Sequence, residues 1–251
     1  MALGSEDKFD RYLRQILVKE IGGQGQETLS NSKVLVLGAG GLGAPLLLYL
    51  SAAGVGHLGV IDHDNVDLSN LQRQILYKTS DVGKPKIEAA ELAIKRLNPN
   101  VTVSKYNMRL SDGFDNSFFK SYDIVVDGSD TLNTKNLIAR NCIKLSKALL
   151  TGSVSKWEGQ IFLYDPSVDS SCYSCVYGDL LDYEQNDCNH IGIVGTVAGI
   201  VGSMMASETI KYLIGTHFSL KSNLLIYDGL LHNLKKIVVQ KNHKCNSCCA
   251  N

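Results

Sequence analysis

Short apolar runs alternate with segments of helical periodicity over the first 153 residues of the chain. The apolar runs are rich in Val, Ile and Leu, which is typical of strands buried on both faces of a sheet. The predicted strands lie at 34–37, 57–62, 101–106, within 122–130 and near 148–153. The predicted helices lie at 8–18, 42–53, 83–97, with Ser80 or Asp81 as N-cap, and 131–146. This alternation predicts an α/β fold that is Rossmann-like, with a mostly parallel sheet and helices on both faces.

The pattern changes after residue 153. Strands of a more antiparallel C-terminal region are predicted at 158–165, 223–229 and 234–241. A long loop, 165–190, leads into a glycine-rich apolar helix whose small residues share one face. We therefore expect a single domain, 1–251, with a first half at 1–153 and a second half at 154–251.

Composition and charge narrow the possible functions. Lys and Arg number 25, and Asp and Glu also number 25, so no basic field indicates a nucleic acid partner. The N-terminus, MALGSEDKFDRYLRQ, is charged and lacks the apolar core of a signal peptide. The glycine-rich helix carries Glu208 and Lys211, which is atypical of a membrane span. We expect a cytoplasmic protein without membrane contact, whose seven cysteines are reduced.

A glycine-rich turn, GAGGLG, follows the first predicted strand and opens a helix. Its glycines allow the backbone to approach phosphate groups, and the helix N-terminus presents free N–H groups to those phosphates. The four glycines are Gly38, Gly40, Gly41 and Gly43. Asp62 ends the next strand, where a carboxylate can accept hydrogen bonds from ribose hydroxyls. These residues are predicted to bind a nucleotide. They do not decide between a dinucleotide and a nucleoside triphosphate.

The polar residues that follow favour a triphosphate. Four of them come after the second strand: Asn70, Arg73, Lys84 and Lys86. A triphosphate needs several cations to neutralise it and to stabilise the charge that develops in a transition state, whereas hydride transfer does not. Asp127 and Asp130 come at the end of the strand DIVV, and carboxylates beside phosphates indicate Mg²⁺.

Two C-x-x-C pairs predict a structural zinc site. Cys172 and Cys175 form the first pair, and Cys245 and Cys248 form the second. Four thiolates suit tetrahedral Zn²⁺, and the long gap between the pairs would make the site a clip between the loop and the C-terminal tail. Cys249 is an alternative fourth ligand, although the spacing favours Cys248.

A further cysteine, Cys188, precedes the glycine-rich helix. A thiol near a helix N-terminus can have a lowered pKa and act as a nucleophile, so Cys188 is either a nucleophile or an inert loop residue. Cys142 falls at an apolar helix position and is expected in the core.

Together these motifs resemble one family. They are RYLRQI, GAGGLGAP, SNLQRQILY, DVGKPK, DGSDT and the two C-x-x-C pairs. In this order they are similar to the ThiF/MoeB/HesA adenylyltransferases, which are relatives of the ubiquitin-activating enzymes. The resemblance extends from about Arg11 to Cys248, which is almost the whole chain.

The resemblance implies ATP, Mg²⁺ and Zn²⁺ as cofactors and a small β-grasp sulfur-carrier protein ending in Gly-Gly as partner. In this family the carrier's C-terminus attacks the α-phosphorus of ATP, an acyl-adenylate forms and pyrophosphate leaves. The second half of the chain would then bind the carrier. A separate sulfur donor, a cysteine desulfurase or a rhodanese, is expected because no rhodanese domain follows the tail. Thiamine and molybdopterin carriers remain alternatives.

The resemblance also implies roles for single residues. Gly41 and its loop contact the phosphates, Asp62 holds the ribose and Asp130 coordinates Mg²⁺. Three residues are implied to neutralise the triphosphate: Asn70, Arg73 and Lys86. Arg14, in RYLRQ, matches an arginine that such dimers lend to the neighbouring subunit's ATP site, which predicts a homodimer. Cys188 matches a loop cysteine that forms an acyl disulfide with the carrier in some members and is dispensable in others.

Two positions depart from the family pattern. Thr131 stands where Asn is usual, and Cys249 stands where Gly is usual. Two other functions remain as alternatives: an NAD-dependent dehydrogenase that uses the same glycine loop, and a non-catalytic subunit of a heterodimeric activating enzyme.

Overall fold

The computed structural model describes residues 5–178, 192–216, 220–221 and 223–249, with side chains from residue 10 onward. Within these ranges the helices are α1 (Ser5–Ile16), α2 (Gly22–Asn31), α3 (Gly43–Ala52), α4 (Lys86–Leu97), α5 (Leu132–Lys144), α6 (Tyr173–Tyr177) and α7 (Gly195–Leu213). The strands are β1 (Lys33–Leu37), β2 (His57–Ile61), β3 (Thr102–Tyr106), β4 (Ile124–Asp127), β5 (Leu149–Ser155), β6 (Glu158–Tyr164), β7 (Asn223–Asp228) and β8 (Asn233–Val238).

The strands form one sheet in the order β3-β2-β1-β4-β5-β6-β7-β8. The pairs from β3 to β5 are parallel, and those from β5 to β8 are antiparallel. Val36 lies between Val60 and Val126, so the central strands end level with one another. The structure confirms the predicted fold class, a mostly parallel sheet continued by an antiparallel C-terminal region.

Both faces of the parallel strands are buried, because each strand directs alternate side chains to opposite faces. Val34 and Val36 of β1 belong to the hydrophobic core on the face of α3 and α7. Leu35 and Leu37 belong to a second core with Ile138 of α5. Near-continuous apolar runs are therefore required in these strands, which explains why the sequence pattern located them.

Two helical features differ from the sequence prediction. Helix α2 was not predicted, because GGQGQETLSN is rich in glycine and polar residues. Tertiary contacts stabilise it: Leu29 is fully buried, and Gly25 packs closely beside Ile21 and Ile214. Helix α4 begins at Lys86, directly after Pro85, so the predicted N-cap at Ser80 or Asp81 was wrong.

Asp81 instead belongs to a short 3-10 turn, Thr79–Asp81. Its carboxylate accepts hydrogen bonds from the backbone N–H of Lys78 (3.3 Å) and from Nζ of Lys84 (2.9 Å). Lys84 is therefore engaged in holding the turn ahead of α4.

The small residues of α7 allow close packing at particular positions. A Cβ atom on Gly202 would lie 2.5 Å from the carbonyl oxygen of Leu42 and from Cγ of Pro45, both beside the start of α3. A Cβ atom on Gly199, three residues earlier, would meet no atom within 4 Å. Within the described ranges, no helix has the length and hydropathy that a bilayer-spanning segment needs.

These two glycines provide a matched test of the α3–α7 contact. Gly202→Ala is expected to destabilise the protein by about 1–3 kcal/mol, because the new methyl group forces the two helices apart. Gly199→Ala is expected to stabilise it by about 0.5–1 kcal/mol through the better helix propensity of alanine. Urea denaturation measures both changes. Equal effects of the two substitutions would contradict the close α3–α7 approach.

Candidate functional site

The glycine loop lies at the carboxyl edge of the sheet, between β1 and α3. Gly38 has φ +86°, and a Cβ atom there would lie 3.0 Å from the carbonyl oxygen of Gly128, in the loop after β4. A Cβ atom on Gly43 would collide with the carbonyl oxygen of Gly38. Larger residues at these two positions would therefore close the turn that exposes the N-terminus of α3. The geometry fits a phosphate-binding loop.

Asp62 anchors this loop from the end of β2. Its Oδ2 accepts a hydrogen bond from the backbone N–H of Ala39 (2.8 Å), and its Oδ1 accepts one from the backbone N–H of Asp64 (2.9 Å). Each carboxylate oxygen has a second lone pair. Asp62 can therefore shape the loop and still accept hydrogen bonds from a ribose.

Arg73 lies beside the glycine loop. Its Cγ and Cδ atoms lie 3.4 Å from the position that a Cβ atom on Gly41 would occupy, and its Nη1 donates to the carbonyl oxygen of Ser69 (3.2 Å). Asn70 occupies the preceding 3-10 turn, where its side-chain oxygen accepts a hydrogen bond from the backbone N–H of Asp67 (3.3 Å). The fold thus brings the aliphatic part of the Arg73 side chain to the predicted phosphate loop, while Asn70 shapes the turn that precedes Arg73.

Lys86 is the first residue of α4 and is buried, with 5 % of its surface exposed. Its Nζ donates to Oδ2 of Asp64 at 2.7 Å. Partial burial by itself would raise the pKa of Asp64, but the hydrogen bond and the charge of Lys86 outweigh it, and the pKa lies below its ordinary value. Asp64 therefore stays ionised and holds the Lys86 ammonium two residues after the predicted ribose acid.

The two aspartates after β4 have different roles. Asp127 is buried and forms an ion pair with Lys135 (2.9 Å), so the expectation that it faces a metal was wrong. Asp130 is exposed in the loop between β4 and α5, two residues after Gly128, whose carbonyl group lies against Gly38 of the glycine loop. Thr131 caps α5 by accepting a hydrogen bond from the backbone N–H of Thr134 (3.4 Å). Asp130 offers an exposed carboxylate, a ligand type that suits Mg²⁺.

Arg14 lies far from the glycine loop of its own chain. The next residue, Gln15, donates to the carbonyl oxygen of Ala53 (3.0 Å), and Arg11 donates to that of Leu97 (3.0 Å). These carbonyl groups lie at the C-terminal ends of α3 and α4, whereas the glycine loop lies at the N-terminus of α3. A ten-residue helix such as α3 is about 15 Å long, so its two ends are about that far apart. Arg14 is exposed there, at the end of the fold opposite the loop.

The four cysteines of the C-x-x-C pairs converge. Their Sγ atoms all lie within 4.8 Å of one another, and Cys172 lies 3.6 Å from Cys245 while Cys175 lies 3.7 Å from Cys248. Tetrahedral Zn–S bonds of about 2.3 Å require S–S distances near 3.8 Å, so the geometry fits zinc. Cys249 lies 3.8 Å from Cys248 but donates to the carbonyl oxygen of Asn242. The structure thus groups Cys248 with the other three thiols.

Two further cysteine predictions have different outcomes. Cys142 is fully buried on α5, as predicted for a core residue. Cys188, the candidate nucleophile, lies outside the described residues.

Sequence reasoning missed two residues that support the loop. Tyr77 is buried and its hydroxyl donates to the carbonyl oxygen of Ala39 (2.8 Å), and burial raises its pKa well above the ordinary value. Lys135 neutralises Asp127 from within α5. Tyr77 ends the motif SNLQRQILY and Lys135 lies one helical turn after Thr131, but the sequence assigned no role to either residue.

Comparison with known proteins gives the family. The ThiF family matches residues 12–247. The chain belongs to the ThiF family. It is 38 % identical over 254 residues to the sulfur carrier protein adenylyltransferase of Thermus thermophilus, and the match covers 97 % of this chain and 92 % of that protein. The predicted family is therefore confirmed, and its relatives are named as adenylyltransferases.

Longer ThiF relatives also match. The chain is 37 % identical to the adenylyltransferase and sulfurtransferase MOCS3 of Culex quinquefasciatus, over 98 % of this chain, and 39 % identical to that of Dictyostelium discoideum, over 96 %. It spans 57 % of the length of each of these two relatives. Both names combine an adenylyltransferase with a sulfurtransferase.

Solved structures share this ThiF fold. The microcin C7 biosynthetic enzyme MccB in complex with N-formylated MccA superposes with a TM-score of 0.83 at 23 % identity, over 98 % of this chain and 77 % of that chain. PaaA gives a TM-score of 0.78 at 24 % identity, over 96 % and 76 %. At this level of identity the likeness concerns the fold alone.

Proposed function

We propose that this ThiF-family chain adenylates the C-terminal Gly-Gly carboxylate of a small β-grasp sulfur-carrier protein, with ATP as the donor. The observation that carries the proposal is that Asp62 and the side chain of Arg73 lie against the glycine loop, while Lys86 is held nearby by Asp64, whose backbone N–H donates to Asp62. Two cations at a nucleotide loop suit a triphosphate, whereas hydride transfer to a nicotinamide does not need them. The names of the relatives support the same reaction.

The residues of the site divide the work of this reaction. The glycine loop and the N-terminus of α3 hold the phosphates, and Asp62 orients the ribose. A carboxylate oxygen of the carrier attacks the α-phosphorus, and the bond to the pyrophosphate oxygen breaks. Arg73 and Lys86 stabilise the negative charge that develops on the phosphate oxygens, with Asn70 shaping their approach. Asp130 would hold Mg²⁺, which supplies further charge neutralisation when it is bound.

A homodimer accounts for the position of Arg14. Arg14 lies at the end opposite its own glycine loop, so a role of Arg14 in ATP binding requires the site of another chain. A groove of about 470 Å³ lies next to it, between the α1–α2 connection, α3 and α7, and its lining includes Val18, Tyr49 and Ile210. Tyr49 is exposed, and the lining is mostly apolar, which suits a protein interface.

The cluster of four C-x-x-C thiols is proposed to bind one structural Zn²⁺. The site joins α6 to the C-terminal tail, so zinc would cross-link two segments within the second half, 154–251. That half is proposed to bind the carrier. The role of Cys188 as a nucleophile toward the carrier stays a prediction from the sequence. The same holds for a separate sulfur donor.

The test of the function is ATP–pyrophosphate exchange that depends on a carrier. Labelled pyrophosphate should enter ATP only when the protein, Mg²⁺ and a carrier ending in Gly-Gly are all present. The matched control is the same carrier without its last two glycines, which should support no exchange. Running the assay with the thiamine-type and the molybdopterin-type carrier separates the two pathways. Binding of NADH without any exchange would instead favour the dehydrogenase.

A further inference from the structure

A buried ion pair lies beneath the edge of the sheet where the proposed ATP site is. Lys135 is 5 % exposed and Asp127 is 1 % exposed. Lys135 Nζ donates to Oδ2 of Asp127 at 2.9 Å and to the carbonyl oxygen of Gly152 at 2.6 Å. The same Oδ2 accepts a hydrogen bond from Oγ1 of Thr151 at 2.7 Å. This network joins α5 to the end of β4 and the middle of β5.

The network continues into the loop that carries Asp130. Oδ1 of Asp127 accepts hydrogen bonds from the backbone N–H (2.9 Å) and from the hydroxyl (2.6 Å) of Ser129, the residue before Asp130. The backbone N–H of Gly128 donates to the carbonyl oxygen of Leu37 (2.9 Å), at the start of the glycine loop. The residues just before Asp130 are therefore held on both sides, by the buried ion pair and by the glycine loop.

We propose that Lys135 is a positioning residue for the proposed Mg²⁺–ATP site, and that it acts through Asp127 and Ser129 on the loop that carries Asp130. The inference rests on the proposed function. A buried ion pair is weak support for stability, because the desolvation of both charges offsets their attraction. A fully hydrogen-bonded network does restrict the geometry of the groups that it holds. Lys135 thus sets where the Asp130 carboxylate lies relative to the phosphate loop.

The experiment is calorimetric titration of ATP into the full chain, once with excess Mg²⁺ and once with EDTA. Lys135→Met is expected to weaken ATP binding roughly 10-fold in Mg²⁺, the usual effect of losing a residue that orients a metal ligand. In EDTA its affinity should match that of the wild type. The matched control is Lys147→Met, because Lys147 donates to the carbonyl oxygen of Tyr122 (2.6 Å), at the other end of β4. It should bind ATP as the wild type does in both conditions.

Each outcome separates positioning from a general loss of structure. Unchanged Mg²⁺-dependent binding in Lys135→Met, or equal losses in Mg²⁺ and in EDTA, would overturn the proposal, as would the same loss in Lys147→Met. If Lys135→Met does not fold, Thr151→Val removes the hydrogen bond from Oγ1 to Asp127 and the longer one (3.4 Å) that Oγ1 accepts from Lys135, while the Lys135–Asp127 ion pair stays in place. That variant should lose Mg²⁺-dependent affinity by up to roughly fivefold, and no loss would again overturn the proposal.

The titration needs no carrier, so it is independent of the exchange assay. Wild-type protein that binds ATP in a Mg²⁺-dependent way but shows no carrier-dependent exchange would refute the proposed function and leave the role of Lys135 standing. Wild-type protein that binds no ATP would refute both.

Discussion

Replacing Asp130 with alanine is expected to lower carrier-dependent ATP–pyrophosphate exchange by at least roughly 100-fold, the range seen when one transition-state stabilising group is removed. Asp130 is an exposed carboxylate in the loop that contacts the glycine loop through Gly128, and it is proposed to hold the Mg²⁺ that neutralises the triphosphate. Asp127 cannot substitute for it, because its carboxylate is buried and paired with Lys135. Initial rates of exchange at saturating ATP measure the loss.

The control for this substitution is Asp112→Ala. Asp112 is an almost fully exposed carboxylate that lies 3.7 Å from the guanidinium of Arg140. Its removal changes the net charge equally and should leave exchange unchanged. Both variants should unfold at the wild-type urea concentration, since neither side chain is buried. Full activity of Asp130→Ala would refute the assigned site.

Mixing two inactive variants tests whether Arg14 acts between subunits. In a mixed dimer of Arg14→Ala and Asp130→Ala chains, one site would combine an intact Asp130 with an intact Arg14 of the other chain. Random mixing should therefore restore about a quarter of the wild-type rate, because half of the dimers are mixed and each has one complete site. No recovery from dimers that have demonstrably exchanged subunits would contradict a shared site.

The second large effect is expected from removing one of the four thiols that are proposed to bind zinc. Cys172→Ser should lose the single bound Zn²⁺ and destabilise the protein by roughly 2–5 kcal/mol, as for the loss of a cross-link that closes a long loop. Cys172 is fully buried, and it lies 73 residues from its sulfur neighbour Cys245. Metal analysis of the purified protein and urea denaturation with and without a chelator measure the two effects.

The matched control is Cys249→Ser, which makes the same chemical change next to the cluster. Because Cys249 bonds the carbonyl oxygen of Asn242, this variant should retain about one Zn²⁺ per chain, the content of a single four-thiolate site. If Cys249→Ser lost the metal and Cys248→Ser kept it, the fourth ligand would be Cys249. A fully folded, metal-free wild-type protein would refute the zinc site.

Much of the fold was predictable because its strands are buried on both faces. The runs at 34–37 and 124–126 are short, continuous and apolar, which is typical of strands in the interior of a parallel sheet, and the structure places them there. Helix α2 was missed because its local propensity is poor and its stability comes from Leu29 and from contact with the residues after α7. The start of α4 was misplaced because Asp81 serves a preceding turn.

The residues of the candidate site were predictable from the sequence. The contacts that hold those residues in place were less predictable. Arg73, Lys86 and Asp130 stand out because charged residues follow strand ends, where parallel strands place their ligands. Their partners did not stand out. Asp64 holds Lys86 across 22 residues of sequence, and Lys135 pairs with Asp127 from inside a helix.

By itself the sequence determined the kinds of chemistry available: a glycine loop for phosphates, a ribose acid, cations for a triphosphate and four thiols for a metal. These chemical groups can be recognised from residue types and from their spacing along the predicted order of strands, turns and helices. Only the tertiary structure decided which charges neutralise one another and which remain exposed. Asp127 and Asp130 lie three residues apart, yet one is buried against Lys135 and the other is exposed, because pairing depends on distances that exist only after α5 packs on the sheet. The contacts of α1 with the C-terminal ends of α3 and α4 likewise placed Arg14 at the end opposite its own glycine loop.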